Sequence, residues 1–388
     1  MRIPLRPMPE LAPSVAIDLD RVRRPTYGRS LEDFRSGQVF EHPRGFTFRA
    51  SDSRAFATTF MQANPLYLNS EYARSYGFRD CPASPQMVFN VVLSLGVEND
   101  SEKAMANLGY YQAQFLRPVY TGDTLRAVTE VIERRDRGDK PGIVHVRTLG
   151  LNQIDEVVLQ FERKIMVQRR GPDTEEGSVS QPSFPWVDDP LADLPLFERL
   201  PETGWQTGSS PCFEDFEVGQ IFVHANGRTV TDEHTPWTYR VANTHPLHYD
   251  RLYSLAQEGP LSGEPVVYGG LVFAWLDGLA SRDVAANAVW ELGFTEGYHT
   301  QPTFSGDTLT AISRVLDCEP VSKDLGSVTF QLIGLKNLRS AEALERFGEA
   351  LFAKENAKPR ADRIQEKVFE IERKLLLRAG TAPARSAE

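Results

Sequence analysis

Residues 32–40, Glu-Asp-Phe-Arg-Ser-Gly-Gln-Val-Phe, return at 214–222 as Glu-Asp-Phe-Glu-Val-Gly-Gln-Ile-Phe, with Asp33 and Asp215 separated by 182 positions. Three further echoes follow in the same order. Asn64-Pro65-Leu66-Tyr67 answers to His245-Pro246-Leu247-His248 at an offset of 181, and Gly122-Asp123-Thr124-Leu125 to Gly306-Asp307-Thr308-Leu309 at 184. Glu162-Arg163-Lys164 answers to Glu372-Arg373-Lys374 at 210. Four collinear matches describe one domain present twice. That suits a chain of 388 residues, too long for one ordinary core and long enough for two.

The last offset exceeds the third by 26, so the second copy carries an insertion of about that size before its final strand. The charged stretch 338–362 is the candidate, and such a stretch belongs on the surface. Residues 169–210 are rich in Pro, Gly and acidic residues without periodicity, a linker composition. The division expected is an N-terminal arm over 1–27, a first repeat over 28–168, the linker over 169–210, a second repeat over 211–378 and a tail over 379–388.

Within each copy a glycine turn precedes a region of helical spacing around the Pro-Leu step, then a long apolar helix, 86–95 in the first and 270–279 in the second. Runs with β-branched residues and alternating polarity follow, at 125–133, 142–152 and 157–168 in copy one. The economical architecture is α+β, a central helix wrapped by an antiparallel sheet, built twice.

A net charge of −10 and a pI near 5.4, without any basic run, exclude a nucleic-acid backbone as partner. Cys81, Cys212 and Cys318 are scattered and odd in number, which fits a reducing compartment, and cytoplasm is the expected location. No run of eighteen apolar residues and no signal-type apolar segment occurs, so neither membrane spanning nor secretion is expected. Dinucleotide-binding and phosphate-loop glycine motifs, a Gly-x-Ser-x-Gly elbow and a His-Glu-x-x-His helix are all missing.

The combination of Gly-Asp-Thr-Leu opening a strand, Gly269-Gly270-Leu271 heading a long helix and Pro246-Leu247-His248 resembles the MaoC-like hydratase/dehydratase family of the hotdog fold. The run from Asn107 to Leu125, with Gly142-Ile143-Val144-His145-Val146-Arg147 after it, is similar to the two-domain mesaconyl-CoA hydratases within that family. The resemblance implies a double hotdog, its two sheets joined into one layer, with one acyl-CoA thioester site between the copies and no metal or redox cofactor. Because the chain already contains its own internal dimer, monomer, homo-oligomeric dimer and larger forms are all left open. The reaction implied is reversible hydration of an α,β-unsaturated acyl-CoA, with mesaconyl-CoA and β-methylmalyl-CoA as the pair expected. An (R)-specific hydratase of monocarboxylic chains and a non-catalytic acyl-CoA-binding subunit are the alternatives.

Family members carry Asp-x-Asn-Pro-Leu-His, which places Asn243 and His248 at the catalytic positions of copy two and Gln62 and Tyr67 at those of copy one. Histidine, with a reference pKa near 6.5, accepts a proton at neutral pH, whereas a tyrosine near 10 does not. Gly269 and Gly270 offer backbone N–H groups at a helix start for an oxyanion, while copy one has Pro85, which lacks one. Copy two is then catalytic and copy one a scaffold lining the substrate tunnel. Asn243 is a departure, because an amide accepts a hydrogen bond from water but cannot ferry a proton. Asp250 or Glu264 could assist. Asp250 is equally a helix-capping residue, His245 and Tyr268 are candidates for substrate contact, and His245 is equally an N-cap. His234, His245 and His248 do not complete a tetrahedral metal set. Arg240 and Arg117 are candidates for matching a distal substrate carboxylate.

Overall fold

The motifs that repeat are turn chemistry. The Asp33 carboxylate accepts the Ser30 amide at 2.9 Å and that of Asp215 the Cys212 amide at 2.8 Å, each closing a 3-10 turn. Asp123 and Asp307 hold the amides of Tyr120 and Phe304 in the same way, at 2.8 and 2.9 Å. The glycines before them, Gly122 and Gly306, lie at φ +94° and +95°, backbone that a side chain disfavours.

The computed structural model describes residues 18–171, 186–187, 206–208 and 210–380. Most of the expected arm, linker and tail therefore lies outside the described residues. The first half contains β1 (Val39–Glu41), β2 (Phe46–Thr47), α1 (Ala50–Thr59), α2 (Ser70–Ser75), α3 (Pro85–Gly96), β3 (Ala104–Phe115), β4 (Thr124–Arg137), β5 (Lys140–Leu151) and β6 (Val157–Val167). The second contains β7 (Ile221–Thr229), α4 (His234–Arg240), α5 (Arg251–Leu255), α6 (Gly269–Val284), β8 (Ala288–His299), β9 (Thr308–Pro320), β10 (Leu325–Lys336), α7 (Ser340–Phe347) and β11 (Lys367–Arg378).

The strands join into one antiparallel sheet in the order β1-β4-β5-β6-β3-β8-β11-β10-β9-β7, with β2 paired to β4. Its seam is β3 against β8, where Tyr110 faces Gly297 and Gln114 faces Gly293. A Cβ on Gly293, at φ +149°, would lie 1.8 Å from the Ala113 carbonyl oxygen, so only glycine lets the two halves approach there.

The two long helices, α3 and α6, pack against each other and against the sheet. All twelve residues of α3 are buried, which is why its sequence shows no polar face. α6 extends five residues beyond the apolar stretch seen in sequence, through Ser281-Arg282-Asp283-Val284. This is an α+β double hotdog in architecture.

The insertion is more than a surface loop. Gly334 on β10 faces Leu276 of α6, so its neighbours Ile333 and Leu335 point to the opposite side of the sheet. There they pack with Ala343 of α7 and with Leu351, Phe352 and Ile364. The charged composition of this stretch concealed a small core that covers the outer face of β9 and β10.

Candidate active site

Below the end of α6 a cavity of about 290 Å³ opens at the junction of the halves. The second half contributes Asn243, His245, His248, Tyr268, Gly269 and His299 to its wall, and the first half Leu93, Asn107, Tyr110 and Arg163.

The Pro246 turn sets the histidines by a short chain of bonds. Asn243 Oδ1 accepts the His245 amide at 2.9 Å, and His245 Nδ1 accepts the Leu247 amide at 3.2 Å, capping the 3-10 turn Pro246–His248. His245 Nε2 then donates to the Ala104 carbonyl at 3.3 Å, which uses both ring nitrogens in structure. Burial lowers its pKa to about 4.

His248 is held differently. Its Nδ1 donates to the Val266 carbonyl at 2.9 Å, and the Val266 amide returns to the Leu247 carbonyl at 3.1 Å. That bond fixes the tautomer and leaves the lone pair on Nε2. Burial, with the neighbouring His245 adding to it, lowers the His248 pKa to about 3, so the imidazole is neutral near pH 7. Its ring packs 5.3 Å from that of Tyr268, the residue preceding the first turn of α6.

At that turn the amides of Leu271 and Val272 bond to the Tyr268 carbonyl, while those of Gly269 and Gly270 have no acceptor among the described residues. The Cα of Gly269 sits under the His299 ring, and a Cβ there would lie 2.5 Å from His299 Nε2. Gly270 is turned toward α3: its carbonyl accepts Asn90 Nδ2 at 3.0 Å, and a Cβ would lie 1.9 Å from Asn90 Oδ1. Gly269 therefore lines the cavity through its Cα, and Gly270 permits the helices to touch.

Asn243 Oδ1 accepts a backbone amide, and its side chain also hydrogen-bonds that of Tyr268. The other expected residues stand apart. Asp250 caps α5, accepting the amides of Leu252 and Tyr253 at 2.9 and 3.1 Å. Glu264 pairs with Arg251 at the surface at 2.6 Å. Arg240 stacks on Trp237 and Arg117 donates to the Val157 carbonyl, and neither lines the cavity. No group of three or more His, Cys, Asp or Glu that could hold a metal ion occurs among the described residues.

His299, Tyr110 and Arg163 were not singled out from sequence. His299 Nε2 lies 3.2 Å from the Tyr110 hydroxyl, and burial lowers its pKa to about 4. A signal existed: at the offset of 184, His299 corresponds to Phe115, another imidazole present in one copy only.

The corresponding place in the other copy is filled. Arg373 reaches Asp277 and Glu291, with Nε 3.0 Å from Glu291 Oε1. Gln62 donates to Asp277 at 3.1 Å and Gln86 to Glu291 at 3.5 Å. Tyr67 is buried here, and desolvation with the adjacent carboxylates holds its phenol well above the ordinary range.

Known proteins resemble the chain in sequence and in overall fold. The family model described as mesaconyl-CoA hydratase matches residues 12–341. A β-methylmalyl-CoA dehydratase of Chloroflexus aurantiacus is 32% identical over 317 residues, 80% of this chain and 89% of that protein. A mesaconyl-CoA hydratase of Cereibacter sphaeroides is 33% identical over 318 residues, 80% of this chain and 90% of that protein. Among solved structures, a MaoC domain protein from Chloroflexus aurantiacus superposes with a TM-score of 0.80 at 28% identity, covering 92% of this chain and all of that one. A conserved Mycobacterium tuberculosis protein with a double hotdog fold gives 0.67 at 22% identity, covering 91% and 99%. By sequence over most of its length and by fold, the chain belongs to the mesaconyl-CoA hydratase family of MaoC-like double hotdog proteins.

Proposed function

We propose that this protein is a hydro-lyase that reversibly hydrates an α,β-unsaturated acyl-CoA thioester, taking mesaconyl-CoA (2-methylfumaryl-CoA) to β-methylmalyl-CoA. The observation that carries the reading is the neutral His248, its tautomer fixed by Val266, in one cavity with the open first turn of α6.

In the hydration direction, His248 Nε2 takes a proton from water as the water oxygen bonds to the β-carbon. The π electrons move to the thioester oxygen, where the amide N–H of Gly269, assisted by that of Gly270, meets the enolate charge. The enolate collapses and the α-carbon takes the proton back from His248, which ends the cycle neutral. A single base thus performs both transfers, as the amide at position 243 requires. Asn243 NH₂ then serves to orient substrate or water. The first half supplies wall rather than reacting groups, because its own equivalent place is occupied by the Arg373 cluster. The free cysteines suit a cytoplasmic setting.

The test is loss of enoyl-thioester absorbance on purified protein with a panel containing 2-methylfumaryl-CoA and crotonyl-CoA. Turnover of the first well above the second supports the reading. Preference for crotonyl-CoA would reassign the protein to monocarboxylic chains, and binding without turnover would make it a carrier subunit.

A further inference from the structure

The internal two-fold relation pairs residues of the cavity with residues of the filled site. Leu93 corresponds to Asp277 and Asn107 to Glu291 at the offset of 184, and Arg163 corresponds to Arg373 at 210. Strand register fixes the last pairing independently: Arg163 on β6 lies opposite Tyr110 on β3, and Arg373 on β11 opposite Phe294 on β8, again 184 apart.

In the filled site the protein itself gives the arginine two carboxylates, from Asp277 and Glu291. In the cavity those positions are an alkyl side chain and an amide, Leu93 and Asn107, and both line the open space. Arg163 is 4% exposed and has one carboxylate partner, Asp100, whose oxygens both lie 3.1 Å from Nη2. Its Nη1 reaches Ser101 Oγ at 3.4 Å, and its buried Nε has no hydrogen-bond partner. No carboxylate is among the described residues that line the cavity. One cation lining a void where its twin holds two acid groups is a site built for an anion brought from outside.

We infer that Arg163 is the specificity-determining residue for a carboxylate on the acyl group, the substrate supplying at Leu93 and Asn107 the negative charge that Asp277 and Glu291 supply to Arg373. The inference rests on the hydratase reading above and deepens it by naming the residue that reads the carboxylate on the β-carbon of the acyl group. In such a substrate the carboxylate is attached to the carbon that water attacks. This agrees with the filled site, where the two acids lie beside Gln62 and Tyr67, the counterparts of Asn243 and His248.

The test uses saturated analogues, so it does not depend on turnover. Binding of succinyl-CoA and butyryl-CoA to the full-length protein is measured by calorimetry. The wild type should prefer succinyl-CoA by about 10²-fold, the scale for a buried charge pair left unmatched. Removing the arginine alone strands Asp100, so the variant is Arg163→Met with Asp100→Asn, checked for a cooperative melt. Its preference should fall to within about threefold of unity. Asn107→Glu, which rebuilds the filled site's acid beside an intact Arg163, should weaken succinyl-CoA selectively by about tenfold or more. Equal wild-type affinity for the two thioesters, or a preference that survives in both folded variants, overturns the assignment. Those outcomes leave the hydratase reading standing if 2-methylfumaryl-CoA is still turned over. A protein that binds neither thioester and turns over no enoyl-CoA defeats both.

Discussion

Replacing His248 by glutamine keeps a group of similar length that can still bond to the Val266 carbonyl, and removes the one nitrogen lone pair proposed as the base. Loss of a positioned general base lowers turnover by about 10²–10⁴-fold, or roughly 3–5 kcal/mol of barrier at 1.36 kcal/mol per tenfold. Because the same nitrogen serves both proton transfers here, the upper half of that range is expected. The native pKa near 3 adds a second signature: wild-type turnover should stay level as pH falls from 8 to 5, without the inflection near 6.5 of an ordinary histidine. The assay is the fall of enoyl-thioester absorbance at saturating 2-methylfumaryl-CoA, with the thioester's binding measured in parallel. A glutamine variant within tenfold of wild-type kcat while binding normally would refute the assignment of His248 as base. A wild-type inflection near 6.5 that disappears with the substitution would instead refute the lowered pKa of the buried imidazole and leave His248 as the base.

The two glycines of α6 should separate. Gly270→Ala drives a Cβ to 1.9 Å from Asn90 Oδ1 between α3 and α6, an overpacking of about 1–3 kcal/mol read as a lower melting temperature. Gly269→Ala sets a Cβ 2.5 Å from His299 Nε2, a side chain of the cavity wall, so turnover should fall with a smaller change in melting. Stability should drop in acid because native His245, His248 and His299, with pKa values of about 4, 3 and 4, refuse protons that the unfolded chain binds below about 6.5. Each contributes stability that is intact above that value and lost at about 1.4 kcal/mol per pH unit as pH falls toward 4. Denaturant titrations at pH 7 and 5 measure this, and His299→Phe should remove one histidine's share of the slope, to which buried His42 and His234 also contribute. Arg373→Met strands two buried carboxylates and should cost about 3–5 kcal/mol in chemical denaturation, with Asp277 and Glu291 left unpaired.

Duplication and fold class were legible in sequence because each rests on local chemistry, and so was the histidine proposed as base. Turn aspartates and positive-φ glycines recur at fixed spacing wherever the same turn is made twice, and the Pro-Leu-His step carries its imidazole within the same few residues. A helix buried on all sides announces itself as an apolar run. The comparison of copies also exposed Tyr67 and Pro85 as losses, since base strength and amide hydrogens are properties of residue type.

Tertiary structure decided what depends on contact between distant segments. The tautomer of His248 is set by a carbonyl eighteen positions away, and Asn243 is tied to the side chain of Tyr268 at the head of α6. Gly270 proved to be a packing residue through Asn90 on the other helix, 180 positions earlier. Arg163 and His299 reach the cavity only because β3 and β8 fuse the two sheets, so neither shows in its own sequence neighbourhood. Composition likewise hid the core beneath the 338–362 stretch, since a few apolar residues suffice once a sheet face is offered to them. Residue type fixes what a side chain can do; which groups meet, and which atom of each stays available, is settled by folding.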